Sequence, residues 1–240
     1  FSTPFDKTAV DFLEQFNPPY YKIASFEIQD IPLIEYAASK GRPMIISTGI
    51  AELEDIELAV QTCRNAGNDN ITLLKCTSSY PAPIEEANLL TLPDLKKRFG
   101  VEVGLSDHTT GIVAPVVAVA LGAKVIEKHF ILDKSIGGPD ASFSLDEKEF
   151  TAMVAAVRQA EKALGKPTYE LTEKVKDNRK FSRSLFAVKD IKAGELFTEE
   201  NVRSIRPGYG LHPRYLKEVI GKKAKVDIVV GTPLRVSHWE

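Results

Sequence analysis

Cysteine is scarce in this 240-residue sequence: Cys63 and Cys76 are the only two. They fall inside a helix-like and a strand-like segment, so no disulfide framework is suggested and a reducing cytoplasm is the natural setting. Long apolar runs are also missing, and none approaches the roughly 20 residues that a membrane-spanning helix requires. Neither sign of charge dominates. Lys+Arg number 31 against Asp+Glu 33, for a formal net charge of -2, and no long basic run upsets the balance. Nucleic acid and anionic membranes are therefore poor candidates for a partner. Low-complexity tracts are absent, and so is an initiating methionine: the chain opens on Phe1 and runs straight into FSTPF. That opening predicts that an N-terminal portion is missing.

The 43% of hydrophobic residues is enough, at this length, to bury a sizeable core as one α/β barrel or as two domains. Short apolar runs recur, each closing on small or polar residues: FSTPF (1–5), YYKIAS (20–25), PMIISTG (43–49), ITLLKCTSSYP (71–81), VEVGLSDHT (101–109) and AKVIEKHF (123–130). Such runs predict strands buried on both faces, as in a parallel sheet. Between them TAVDFLEQF, IPLIEYAASKG, ELEDIELAVQTCRNAG, VAPVVAVALG and EFTAMVAAVRQAEKALG have helical spacing. In the third of these, Ile56, Ala59, Val60 and Cys63 share a face, and Gly67 is the expected terminator.

The alternation predicts six right-handed βα units between residues 1 and 165. Polar side chains gather at the C-terminal ends of all six strands. An open doubly wound sheet binds ligand at one crevice, whereas a (β/α)8 barrel builds its site around a ring of strand ends, so the barrel is favoured. The expected fold is α/β: a TIM-type barrel over residues 1–165 that lacks its first two strand–helix units. Residues 166–182 are charged and turn-rich and predict a linker. Over 183–240, short strands broken by KAG, RPGYG and VVG predict a small, mostly β domain with a thin core that leans on a neighbour.

Two histidines stand at strand ends. Alternation puts Ser106 and His108 on one face of the fifth run, and Glu127 and His129 on one face of the sixth. Consecutive strands lie about 4.8 Å apart, so two imidazoles leaving the same side can reach one ion at roughly 2.1 Å each. A lone histidine is more often a packed, hydrogen-bonded one; a pair beside a carboxylate points to a metal site. Mn²⁺, Mg²⁺, Fe²⁺ and Zn²⁺ all suit nitrogen and oxygen ligands with open positions, and Glu127 can ligate, hold a water or act as base.

A second group suits an anion. Thr3, Lys22, Ser25, Ser47, Thr48, Ser78 and Ser106 sit at five different strand ends, where hydroxyls and an ammonium can ring a phosphate or carboxylate. Any one serine is equally well a strand terminator. Lys22 is more telling, because an ammonium at the end of a buried strand needs an anion to offset its desolvation. A Schiff-base role is open to it and to Lys128, although Lys128 alternates away from Glu127 and His129, toward helices or solvent. GGPDASFSL (137–145) is a loop signal with Asp140 at its tip, either a turn residue or an acid/base and hydroxyl contact. RPGYGL (206–211) sets Arg206 before a Pro-Gly corner. It is a plain surface arginine or, across a barrel mouth, a clamp for an anionic or polyhydroxyl substrate.

Taken in order, FSTPFD, YKIAS, ISTG, CTSSYPAP, GLSDHT, VIEKHF and GPD, followed by a C-terminal RPGYGL module, resemble the sialic acid synthases, the PEP-dependent nonulosonic acid synthases. The resemblance covers the whole chain. It implies a (β/α)8 barrel joined to a small antifreeze-like (SAF, β-clip) domain, and condensation of phosphoenolpyruvate with the open-chain aldehyde of an N-acetylated amino sugar, releasing phosphate. It further implies that His108 and His129 bind a divalent metal, Mn²⁺ by preference with Mg²⁺ or Co²⁺ as substitutes. Phosphoenolpyruvate would meet Thr3, Lys22, Ser25, Ser47, Ser78 and Ser106. Tyr80, Glu127 and Asp140 match sugar-contacting or catalytic positions, the two carboxylates being the catalytic candidates. Phe181 and Arg206 match residues lent by the linker and C-terminal domain, with Arg206 reaching into the partner subunit of a domain-swapped homodimer in a bacterial or archaeal cytoplasm.

Members of that family begin earlier, with a catalytic Glu and further substrate-binding residues there, so this chain alone is not expected to be active. Ala141 stands where the sialic acid branch usually carries histidine. Together with GLHPRYL, this resembles the pseudaminic acid synthases, whose acceptor is 2,4-diacetamido-2,4,6-trideoxy-L-altropyranose, and Phe143 fits a less polar 6-deoxy sugar. Synthesis of neuraminate from ManNAc, or of legionaminate from a diacetamido-trideoxy-mannose, is the alternative. A Schiff-base aldolase and a non-catalytic carbohydrate-binding module over 184–240 are the readings from other classes.

Overall fold

The apolar runs pair in chain order in a computed structural model, which describes residues 1–239. Strands β1 (Tyr21–Ile23), β2 (Met44–Ser47), β3 (Ile71–Cys76), β4 (Glu102–Asp107) and β5 (Val125–Lys128) form one parallel sheet in the order β1-β2-β3-β4-β5. Between and around them lie α1 (Lys7–Glu14), α2 (Ile31–Ser39), α3 (Leu53–Asn65), α4 (Thr91–Phe99), α5 (Val113–Ala120) and α6 (Glu147–Leu164). This is the βα alternation that the periodicity predicts, with α4 an additional helix outside the five helical patterns. Its buried positions, Leu92, Leu95 and Phe99, are spaced for one face.

One expected strand is corrected. FSTPF contributes only an isolated parallel bridge, Ser2 to Tyr21. Pro4 has no N–H to donate, and Asp6 already caps α1 by accepting the Ala9 amide at 2.8 Å, which leaves room for a single bridge.

Strand alternation sorts the side chains. Tyr21, Ile23, Met44, Ile46, Leu73, Val103 and Leu105 turn toward the helices and join Leu33, Ile34, Ile56, Ala59, Val60, Cys63 and Leu95 in one buried core. The other face of the sheet carries Lys22, Ser47, Cys76, Ser106 and Glu127. The core therefore lies between sheet and helices, and the chemistry lies inside the curl of the sheet. Gly104 marks how tight that inner face is: a Cβ there would lie 2.6 Å from Leu74 Cδ2.

The chain divides into two compact units, Phe1–Lys166 and Pro167–Glu240. In the second, the turn-rich stretch forms a short helix, α7 (Glu173–Asn178), capped by Thr172. Beyond it β6 (Ser184–Ala187) and β7 (Val202–Ile205) pair antiparallel, and several isolated bridges extend the β framework. A small core of Leu185, Ile191, Phe197, Val202, Val219, Ile228, Leu234 and Trp239 holds this unit together, with the short helix α8 (Leu216–Val219) on its side. Among the described residues no helix is long and apolar enough to cross a membrane.

Candidate active site

Register builds the site. Cys76 opposes Ser106 across β3 and β4, and Ser106 opposes Glu127 across β4 and β5, so one layer of side chains leaves the inner face together. His108 and His129 each stand two residues further along. With Thr3, Lys22, Ser25, Ser47 and Tyr80 they line a cavity of about 240 Å³ at the C-terminal ends of the strands.

Lys22 is buried, and its ammonium donates to Ser47 Oγ at 2.8 Å and to the Ile23 carbonyl at 2.9 Å. Glu127 Oε1 lies 3.7 Å away and accepts from Ser106 Oγ at 2.7 Å. Burial pushes Lys22 below the ordinary lysine range, against the pull of the Glu127 carboxylate. Ser25 and Ser78 share a hydrogen bond of 2.9 Å, and Ser25 Oγ accepts the Ile50 amide at 2.9 Å. Thr48, by contrast, spends its hydroxyl on the Leu74 carbonyl.

The imidazoles form the opposite wall. Their ring centroids are 5.1 Å apart, with Tyr80 4.4 Å from the His108 ring and the buried Phe143 4.9 Å from the His129 ring. The Thr77 carbonyl can only accept, so His108 Nδ1, 2.9 Å from it, carries a proton, which leaves Nε2 as the nitrogen open to a metal. Asp140 Oδ2 lies 3.6 Å from His129 Nδ1. Burial, with the His108 ring adding to it, keeps His129 below the ordinary imidazole range and therefore neutral at pH 7. At His108 burial is outweighed by the hydrogen bonds to Cys76 and Thr77, which hold it above the ordinary imidazole range. Two imidazoles, one fixed by the Thr77 carbonyl and one beside a carboxylate, can serve as donors of an open nitrogen–oxygen metal site, with His108 giving up a proton as the metal binds. Among the described residues no three His, Cys, Asp or Glu side chains converge into a ready cage, so oxygens from water or substrate would complete the coordination. The residues fit a divalent cation on those terms.

A family model of the NeuB family matches residues 1–169, and one of the SAF domain matches residues 182–238. The chain belongs to the NeuB family. Among its relatives is the pseudaminic acid synthase of Campylobacter jejuni, 54% identical over all of this chain and 70% of that protein. The pseudaminic acid synthase of Helicobacter pylori is 49% identical over all of this chain and 71% of its own length. Among solved structures, a spore coat polysaccharide biosynthesis protein from Bacillus subtilis matches with a TM-score of 0.66 and 38% identity, covering 99% of this chain and 72% of that one.

In this NeuB-family chain, Thr3, Lys22, Ser25, Ser47, Tyr80, Ser106, His108, Glu127 and His129 come together in the cavity. Ser78 joins through Ser25, and Asp140 stands behind His129. Phe181 and Arg206 belong to the second unit, and both are exposed there. Residue-type reasoning passes over Cys76 and Gly49. Cys76 lines the cavity, its Sγ 3.8 Å from His108 Nδ1; its parity with Ser78 on the same run was the available signal. A Cβ on Gly49 would overlap Ser78 Oγ and lie 2.7 Å from Ser25 Oγ and 2.8 Å from Cys76 Sγ, a constraint that only the packed site reveals. Lys128 is closed off as a nucleophile: its side chain is buried on the outer face against Asp107.

Proposed function

We propose that the chain carries the catalytic part of a pseudaminic acid synthase, joining phosphoenolpyruvate to the open-chain aldehyde of 2,4-diacetamido-2,4,6-trideoxy-L-altropyranose with release of phosphate. The observation that carries this reading is the cavity itself, where a buried lysine with serine hydroxyls faces a histidine pair across a carboxylate. The Campylobacter and Helicobacter relatives support the choice of sugar.

Lys22, Ser25, Ser47, Ser78, Ser106 and Thr3 bind phosphoenolpyruvate, with the ammonium as counter-charge and the hydroxyls as donors. His108 and His129 hold the divalent cation, Mn²⁺ first, which supplies Lewis acidity toward the sugar aldehyde. Tyr80 and Asp140 orient the sugar. C3 of phosphoenolpyruvate attacks the aldehyde carbon, the enol pair forming the new C–C bond while the aldehyde oxygen takes up a proton. Glu127, held by Ser106, takes the proton of a water that adds at C2 of the former phosphoenolpyruvate. The tetrahedral intermediate collapses with cleavage of the C2–O bond, leaving a ketone and phosphate.

The five-stranded sheet, with the FSTPF segment bridged to its first strand, belongs to a (β/α)8 barrel whose two further strand–helix units pair with the free edges at β5 and at the Ser2 bridge. The exposed aromatic side chains of Phe12 on α1 and of Phe16 just beyond its end support this, since an outer barrel helix packs against its neighbours on both sides. The protein works in the cytoplasm as a domain-swapped homodimer, with Phe181 and Arg206 completing the sugar site from the linker and SAF domain.

The test is phosphate release from phosphoenolpyruvate by the protein with the two units restored, offered each amino sugar in turn, with and without EDTA. Turnover with the altrose derivative, lost in EDTA and regained with Mn²⁺, is expected. Preference for ManNAc would reassign the enzyme to neuraminate synthesis. A borohydride-trapped adduct of Lys22 with pyruvate would replace the reading with a Schiff-base aldolase.

A further inference from the structure

His108 and His129 are each preceded by a charged residue that points the other way. Asp107 and Lys128 are register partners at the ends of β4 and β5, and alternation sends their side chains to the outer face, opposite the imidazoles. There Lys128 Nζ meets Asp107 Oδ2 at 2.6 Å, the two side chains 0% and 1% exposed. The second Asp107 oxygen accepts the Thr109 amide at 2.9 Å, and Lys128 Nζ also donates to the Thr109 carbonyl oxygen. The pair therefore grips the Thr109 backbone, one residue past His108, and ties it to the residue beside His129.

The β4–β5 ladder ends at Asp107 and Lys128. Beyond it the His108 carbonyl accepts from Ala82 and the His129 carbonyl from Leu145, so each histidine is tied to a different loop. A buried ion pair is also a poor source of net stability, since an apolar pair of similar volume commonly serves as well. Its worth here is geometric.

We propose that Asp107 and Lys128 are positioning residues: their pair on the outer face fixes the spacing and aim of the two imidazoles on the inner face. The proposal rests on the reading of His108 and His129 as the metal-holding pair.

The test uses the full chain and Mn²⁺ alone, with affinity read by electron paramagnetic resonance and ligand geometry by the visible spectrum of bound Co²⁺. Asp107→Leu/Lys128→Met replaces the pair with apolar side chains and should keep the circular dichroism and melting temperature close to the parent's. It should bind Mn²⁺ about 10-fold or more weakly, as loss of outer support does at metal sites, and its Co²⁺ bands should shift. Parent-like Mn²⁺ affinity and Co²⁺ bands in the folded double variant would overturn the proposal. If that variant does not fold, Asp107→Asn carries the same comparison, because it keeps the shape and loses the charge; unchanged Mn²⁺ affinity there overturns the proposal equally. His108→Ala is the separate control. Parent-like binding in that variant would remove the metal reading, and the proposal with it, without involving Asp107 or Lys128.

Discussion

At Lys22 two tendencies oppose each other. Desolvation favours the neutral amine, while Glu127 3.7 Å away favours the cation, and burial prevails. A lysine that binds an anion only while protonated must then release it as pH rises through this lowered value. The KM for phosphoenolpyruvate should therefore climb on the alkaline side at a pH below the ordinary lysine range. Lys22→Arg, which stays charged throughout, should flatten that rise even if its absolute KM is higher. An unchanged alkaline limb in the arginine variant would assign the titration to another group. Cys63 shows the same physics without a function: buried in the apolar core, its thiol is pushed up to about 12, which leaves it inert as a nucleophile.

Two element ends make distinct demands. The turn from β2 into α3 passes Gly49, where any side chain would collide with the Ser25–Ser78 pair and Cys76. Gly49→Ala should raise the KM for phosphoenolpyruvate about tenfold, roughly 1.4 kcal/mol of lost binding, while the far-UV circular dichroism stays that of the parent. Equal KM would mean that the hydroxyls move aside freely. The start of α6 is a matter of stability alone. Asp146 accepts the Glu149 amide at 2.9 Å, and Glu149 returns the favour to the Asp146 amide at 3.0 Å, a capping box that satisfies two otherwise orphan donors. Asp146→Ala should cost about 1 kcal/mol and lower the melting temperature by a few degrees, with steady-state kinetics unchanged. A variant that lost turnover at constant melting temperature would tie α6 to the site instead.

For the whole molecule, the two units present different chemistry. The first holds the cavity; the second is a small β framework bearing Arg206 and Phe181 on its exposed surface. If the SAF unit completes the sugar site in the assembled enzyme, Arg206→Ala should raise the KM for the amino sugar about tenfold or more and leave that for phosphoenolpyruvate alone. Equal effects on both substrates, or on neither, would argue against that role.

The sequence by itself determined the alternation of strands and helices and the parity of the side chains along each strand. Ile56, Ala59, Val60 and Cys63 are buried on one face of α3, and Ser106 with His108, and Glu127 with His129, emerge on the inner face, because period and burial are local properties of the chain. FSTPF reads as a strand yet forms one bridge, since pairing depends on a neighbour and on the helix that begins two residues later. Only the tertiary structure decided which ends meet: that Ser25 reaches Ser78 across 53 positions, that the Thr77 carbonyl holds the His108 Nδ1 proton, and that a side chain on Gly49 would have to displace Ser25, Ser78 and Cys76. Those facts depend on register between strands far apart in sequence, and no local period encodes it.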